Sequence, residues 1–374
     1  MNVPKLRFKE FNDEWNYDSL SKYVDRITTK NVNNKSNLVL TISAQYGLIN
    51  QTEFFNRNVS SKNLTGYYLL NKGDFAYNKS YSNGYPWGAI KRLNRYNQGV
   101  VSSLYICFKP NNNISSNYLE QYFETDKWYQ QIGEVSVEGA RNHGLLNIAV
   151  NDFFNTEHFI PQFKEQEKIA NFLSLLDKKI ELQSKKIEDL KLYKKGLSTT
   201  IFNSLRDFEK YKLGKICNIT TGKLDANAMI DNGKYRFYTC AKEYSLIDKY
   251  AFDTEALLIS GNGAYVGYIH YYKGRFNAYQ RTYVLDNFSQ NIQFIKCYLE
   301  ENLAKRINSE KKEGNTPYIV LSTLSDMVIK IPSKENQIKI SNIINCHNKK
   351  IELEENELLK LQELKKGLMQ SMFV

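Results

Sequence analysis

The sequence predicts an α+β protein built as an internal repeat, with two mixed globular regions that are each followed by a long helix. Three observations predict it. A segment occurs twice: residues 160–202 align without a gap on residues 331–373, offset by 171, with seventeen of forty-three positions identical. Within both copies the apolar residues recur at alternating steps of four and three, the spacing of a coiled-coil seam. Ahead of each copy lie short runs rich in Tyr, Val, Ile and Phe, bounded by Gly and Asn, which read as strands. The resulting boundaries are a globular domain at 1–159, a central helix at 160–204, a second domain at 205–330 and a closing helix at 331–374.

In the first domain the strand-like runs are Leu38–Ile42, Asp74–Tyr77 and Val100–Phe108, followed by an amphipathic helix over Tyr118–Ile132. The first seam comprises Ile169, Leu173, Leu176, Ile180, Ile187, Leu190, Leu197 and Ile201. The second domain carries runs at Ala256–Ile259, Tyr265–Tyr272 and Arg281–Leu285 and a helix over Ile292–Asn308. Its seam is Ile340, Ile344, Ile351, Leu358, Leu361, Leu368 and Met372. The globular regions are related only faintly: Leu20-Ser21-Lys22 matches Leu213-Gly214-Lys215 at an offset of 193, so the first is 22 residues longer.

The seams are broken by polar residues at the same two places, Gln183 with Glu354 and Lys194 with Lys365, while His347 replaces Leu176 only in the second copy. Matched breaks predict that the helices pair with each other. A lone helix of about 38 residues would be roughly 55 Å long at about 1.5 Å per residue and would leave its apolar stripe in water. An antiparallel pair with a domain at each end hides both stripes with the least connecting chain.

Composition is that of a globular protein, with 42% hydrophobic and 24% charged residues. No apolar run reaches the length of a membrane span, and the polar start lacks the apolar core of a signal peptide, so the cytoplasm is the expected compartment. Cys107, Cys217, Cys240, Cys297 and Cys346 stand far apart without metal-ligand spacing, which predicts reduced thiols and no structural zinc. The net charge of +11, from 51 basic and 40 acidic residues, points to a polyanionic partner, and it is spread over both halves instead of concentrated in a tail.

Catalytic constellations are missing from the sequence. His143, His158, His270 and His347 accompany no GxSxG elbow or HExxH pair, and Thr220-Thr221-Gly222-Lys223 lacks the glycine and hydroxyl of a phosphate loop. Ser260–Gly267 has the glycines of a nucleotide loop at the wrong spacing and runs on into Tyr268–Tyr272, so a structural hairpin fits better than a cofactor loop. Asn315-Thr316-Pro317-Tyr318 echoes the Asn/Asp-Pro-Pro-Tyr/Phe motif of amino-methyltransferases, but Thr replaces the first proline and no cofactor glycine motif precedes it.

Basic and amide residues interleaved with aromatics are the better chemical signal. The segment 78–87, with Lys79, Ser80, Tyr81, Asn83 and Tyr85, and the segment 275–281, with Arg275, Tyr279, Gln280 and Arg281, offer phosphate ligands and side chains able to pair with base edges. Either could also be a plain surface loop. Arg141 and Asn142, beside Glu138-Gly139, and Asn315 and Thr316, beside Glu313-Gly314, are lesser candidates.

A recurring helix joined to dissimilar globular regions resembles the DNA-specificity subunit of type I restriction-modification systems. The residues that carry the resemblance are Ile160-Pro161 to Gln166 and Ile331-Pro332 to Gln337, then Lys194-Lys195-Gly196-Leu197 and Lys365-Lys366-Gly367-Leu368. Lys72-Gly73-Asp74-Phe75 and Ser260-Gly261-Asn262-Gly263 with Gly267 add to it, whereas Asn336 stands where the family usually has Glu.

The resemblance implies two target-recognition domains on an antiparallel coiled coil that acts as a ruler, each domain reading half of a split, asymmetric duplex target. It implies DNA contact from the glycine loop, with Asn262 and Tyr265 as contacting residues. It also implies no catalysis by this chain: two modification subunits would bring S-adenosylmethionine, and restriction subunits would bring ATP and Mg chemistry. The rival readings are a self-sufficient adenine methyltransferase and a coiled-coil scaffold that reads no DNA.

Overall fold

A computed structural model describes residues 3–55, 63–81, 84–136, 146–310 and 318–374. The chain forms two compact units, Met1–Leu182 with Glu357–Val374 and Gln183–Asn356.

The first unit contains strands β1 (Asn16–Ser19), β2 (Val24–Arg26), β3 (Leu40–Ser43), β4 (Gly47–Asn50), β5 (Tyr68–Asn71), β6 (Phe75–Asn78), β7 (Ala89–Arg92), β8 (Gln98–Val101), β9 (Ile106–Pro110) and β10 (Glu157–Ile160). Its helices are α1 (Gln51–Phe55), α2 (Ser116–Phe123), α3 (Tyr129–Val135), α4 (Val150–Asn155) and the start of α5 (Phe163–Asn203). A four-stranded sheet in the order β2-β9-β6-β7 is accompanied by the pairs β3-β4, β5-β8 and β1-β10. One face of the sheet packs Phe75, Tyr77 and Phe108 against Tyr118, Phe123, Trp128 and Phe153, and a second cluster gathers Leu40, Leu48, Leu70, Val101 and Cys107.

Two sequence expectations are corrected here. The run Val100–Phe108 is two strands, because Tyr105 N–H bonds back to Ser102 O at 3.1 Å and closes a turn between them. The helix expected over Tyr118–Ile132 is two, α2 and α3. Thr125 Oγ1 donates to Tyr122 O at 2.6 Å and Trp128 Nε1 donates to Phe123 O at 3.2 Å. Those bonds take up the last carbonyls of α2, and the chain turns to bury the Trp128 ring.

The second unit contains β11 (Glu209–Lys212), β12 (Asn218–Thr221), β13 (Tyr235–Tyr238), β14 (Ser245–Ile247), β15 (Phe252–Ser260), β16 (Ile269–Ala278), β17 (Thr282–Asp286), β18 (Val328–Ile331), α6 (Ile292–Glu310), α7 (Leu321–Ser325) and most of α8 (Lys334–Met372). A six-stranded sheet runs β12-β17-β15-β16-β13-β14, antiparallel except where β13 lies parallel to β16. Helix α6 covers one face, with Phe294, Ile295, Leu299 and Leu303 against Leu257, Ile259 and Leu285. The sheet is strongly curled. Tyr238 is in register with Ala278 at the end of β16, yet its ring lies 5.0 Å from that of His270 at the beginning of the same strand. The expected strand Tyr265–Tyr272 therefore starts later, at Ile269, since Tyr268 N–H closes a turn onto Tyr265 O at 3.0 Å.

The repeat is explicit in the backbone. Strand β1 pairs Asn16 with Ile160, and β11 pairs Glu209 with Ile331, reproducing both sequence offsets. One residue type explains why the Pro-to-Gln spacing recurs. Gln166 Nε2 donates to Pro161 O at 2.9 Å while its Oε1 accepts from Ser115 N at 2.8 Å. Gln337 Nε2 donates to Pro332 O at 3.0 Å while its Oε1 accepts from Asn291 N at 3.0 Å.

Ser115 caps α2 and Asn291 caps α6, so the buried amide ties the start of the long helix to the start of α2 in the first half and of α6 in the second. A side-chain amide offers a donor and an acceptor at once without depending on pH. The neighbouring Glu165 is buried against Arg7, whose Nε and Nη2 each reach its carboxylate at 2.8 Å. Its counterpart Asn336 is exposed, and no such arginine meets it among the described residues.

Helices α5 and α8 pair antiparallel within each unit. In the second, Gln183 Nε2 donates to Glu354 O at 3.0 Å and to Glu354 Oε2 at 2.8 Å, and the Tyr193 and His347 rings lie 5.3 Å apart. Numbering rises along one helix as it falls along the other. The first matched break in the seams is thus a hydrogen-bonded pair, not a gap. In the first unit Lys365 Nζ meets Asp177 at 2.5 Å, and Met369, Met372 and Phe373 close on Ile169, Ala170 and Leu173. Among the described residues no helix is long and apolar enough to cross a membrane.

Candidate nucleic-acid interface

In the second unit, four chain segments meet at one margin of the curled sheet: residues 222–225, 239–244, 261–268 and 279–281. Backbone bonds fasten them together. Gly261 N–H donates to Arg281 O at 2.9 Å, Gln280 N–H to Leu224 O at 2.9 Å and Tyr279 N–H to Tyr238 O at 2.9 Å. Gly222 is required by this closeness, because a Cβ there would stand 1.8 Å from Ala278 O. Cys240 Sγ lies 3.4 Å from Arg281 O, and His270 Nε2 lies 3.0 Å from Ala241 O. Burial pushes the His270 imidazole below its ordinary pKa, so it is neutral near pH 7.

The glycine loop is the β15–β16 hairpin. Gly267 N–H returns to Ser260 O at 2.8 Å, and Gly263 and Gly267 take φ of 80° and 82°. The loop is thereby held rigid, with Asn262 half-buried and Tyr265 exposed at its end. Of the sequence candidates, Asn262, Tyr265, Tyr279, Gln280 and Arg281 come together here, with Gln280 and Arg281 exposed and Tyr279 half-buried.

Arg275 does not join them. It points from the middle of β16, its Nε bonds Asp253 Oδ2 at 2.9 Å, and its guanidinium stacks 4.9 Å from the Tyr250 ring. Asp253 raises the pKa of Arg275 and occupies its hydrogen-bonding edge.

Sequence reasoning missed three members of the same margin. Lys242 extends over the Tyr265 ring at 5.4 Å, and Tyr244 and Tyr268 are exposed beside it. Lys242 and Tyr244 show in sequence the same interleaving of basic and aromatic residues as the chosen segments, but over only five residues. Arg236, on β13, is a further cation of this region. Together these groups make a surface of cations, amides and tyrosines with no carboxylate ion-paired to Lys223, Lys242 or Arg281 among the described residues. Cations and amides can bind phosphate and base edges, and exposed rings can pack against sugars and bases.

The first unit is less open. Lys79 Nζ turns inward to Ile148 O at 3.2 Å, and Ser80 N–H is taken by Asn78 Oδ1 at 3.1 Å. Tyr85 is half-buried with Lys91 5.2 Å from its ring, and burial raises its pKa. Tyr81, 60% exposed, is the candidate there that faces solvent. The candidates Asn83, Arg141, Asn142, Asn315 and Thr316 lie outside the described residues.

Residues 206–363 match the family model described as the type I restriction modification DNA specificity domain. Over these residues, less than half of its length, the chain is similar to that family. The specificity domain so defined contains the whole cation-amide-tyrosine margin. A curated relative, the type I restriction enzyme EcoDI specificity subunit of Escherichia coli, is 34% identical over 165 residues. That alignment covers 44% of this chain and 36% of the relative, so the chain spans little more than a third of the curated relative's length.

Two solved structures share the fold across both units. One is the S subunit of a type I restriction-modification system from M. genitalium, with a TM-score of 0.65 and 19% identity, covering 100% of this chain and 99% of that one. The other comes from a structure titled for complex assembly and conformational transition of the type I R-M system, with a TM-score of 0.60 and 15% identity, covering 98% and 99%. The paired-helix α+β fold read from the sequence is therefore the specificity-subunit fold.

Proposed function

We propose that this chain is the DNA-reading specificity subunit of a type I restriction-modification complex, each unit recognising one half of a split duplex target. The observation that carries the reading is the rigid margin of the second unit, where Asn262, Gln280, Arg281, Lys242 and Tyr265 gather on backbone-fastened loops inside the matched specificity domain. Phosphate contacts set the orientation, and amide and guanidinium groups choose bases. The chain performs no catalysis of its own. S-adenosylmethionine, ATP and Mg belong to modification and restriction subunits that it recruits.

A repeated surface supports one modification subunit per unit. Phe172, Leu175 and Leu182 are exposed on α5 in the first unit, and at the 171-residue offset Ile343, Cys346 and Leu353 are exposed on α8 in the second. Steps of three and seven place each trio along one helix face, separate from the seam. An apolar stripe kept in water in both halves suits a helix of a partner.

The test is Arg281→Ala in the full chain assembled with its modification subunits, measured against every single-base variant of the target. The expected result is relaxed preference in one half-site only, by about 1 to 3 kcal/mol at the affected position. Altered preference in both half-sites, or specific binding that ignores the substitution, would remove Arg281 from the reading surface and with it the role assigned to this margin.

A further inference from the structure

Arg236 is the one described arginine on a strand of the curled sheet whose hydrogen-bonding edge meets no carboxylate. Its guanidinium is held 4.3 Å from the Tyr244 ring on one side and 4.6 Å from the Tyr272 ring on another. Nη1 reaches Tyr238 OH at 3.4 Å, a long bond that leaves most of its N–H groups free. The side chain is half-buried and β13 fixes its backbone between β14 and β16. Contrast Arg275 on the neighbouring strand, stacked on Tyr250 but bonded to Asp253 at 2.9 Å. Both are clamped arginines. Only Arg236 keeps its edge available.

The cage is continuous with the reading margin. The Tyr238 ring lies 5.0 Å from His270, and His270 lies 4.8 Å from Tyr268 in the glycine loop. Tyr244 and Lys242 share the 239–244 segment that touches Arg281 O through Cys240.

We propose that Arg236, caged by Tyr244 and Tyr272, is a fixed anchor for a DNA backbone phosphate that sets the register of the second unit on the duplex. This inference rests on the DNA-reading function proposed above. With the Tyr244 and Tyr272 ring centroids 4.3 and 4.6 Å from its central carbon, the guanidinium already has aromatic partners, and its free N–H groups fit the oxygens of a phosphodiester. Its place on a strand, and not on the loops that carry Asn262, Gln280 and Arg281, suits contact with the DNA backbone better than entry into a groove. The backbone of a duplex whose bases those loops read is what passes over it. Stacking also removes in advance much of the rotamer freedom that an arginine loses on binding.

The test uses the full chain with Arg236→Gln and Arg236→Lys, titrated on target and non-target duplexes across a salt series. The glutamine variant should bind both duplexes about 5- to 10-fold more weakly at low salt, with a log-log salt slope smaller by about one. The lysine variant keeps the charge and should keep the slope while losing part of the affinity. Equal slopes for all three proteins, or a loss of slope in both variants alike, would overturn the phosphate assignment. So would a loss confined to one base position, which would make Arg236 a base reader. A chain that prefers no duplex would count against the specificity reading instead, and the slope comparison on non-target duplex would still decide the role of Arg236.

Discussion

Replacing Gln337 by Met, close to it in volume, tests the reason that the Pro-to-Gln spacing occurs twice. The substitution keeps the packing of a side chain that is 1% exposed and deletes its amide. Asn291 N–H, partly buried, and Pro332 O, buried, then lose their partners, at 3.0 Å each. Gln290 Oε1, 2.9 Å away, can turn to solvent and counts for little. An orphaned buried backbone group costs about 1 to 3 kcal/mol, so two should lower unfolding stability by about 2 to 6 kcal/mol.

Gln337→Glu sharpens the test. A carboxylate can still accept from Asn291 N–H but meets Pro332 O with like partial charge, whereas the protonated acid can donate to it. The folded state then raises the pKa of the introduced carboxyl. Stability is recovered below the unfolded carboxyl pKa of about 4.3 and lost as pH rises through the folded value. Urea unfolding of the full chain at neutral and mildly acidic pH measures both effects. A Met variant within about 0.5 kcal/mol of the parent, with m unchanged, would refute the latch, since distributed packing and not the amide would then hold the two helix starts together.

Two further outcomes follow from burial and from space. His158, sandwiched at 2.8 Å between Tyr122 OH and Thr156 Oγ1, is pushed by burial from 6.5 down to about 4. The unfolded chain takes the proton first, so this residue removes stability as pH falls from about 6.5 toward 4, by about 3 kcal/mol in all; His158→Gln should flatten that limb of a stability-against-pH curve, and an unchanged limb would mean that other groups make it. Glycines should divide by surroundings: Gly222→Ala drives a Cβ into Ala278 O and should destabilise the second unit severely, while Gly196→Ala and Gly367→Ala, with open space around them in helices, should each raise stability by about 1 kcal/mol in thermal unfolding.

The sequence by itself determined the repeat, the two long helices, their pairing and the α+β class, because these depend on local periodicity and on a 43-residue self-match that needs no knowledge of distant contacts. It also singled out the glycine loop and the Tyr279–Arg281 segment, which the fold brings together at one margin. Tertiary structure decided which cations are free. Arg275 and Arg281 lie six residues apart and look alike in sequence, yet Asp253 faces the first across a strand pair and no carboxylate pairs with the second among the described residues. Lys79 reads as a surface ligand but bonds Ile148 O, 69 residues away. Nothing in the sequence marks Arg236, which stands out only when the curl of the sheet brings Tyr244 and Tyr272 onto it. Charge and ring content are properties of the residue, whereas the partner that neutralises a charge or cages it comes from a strand register and a sheet curvature set by the whole unit.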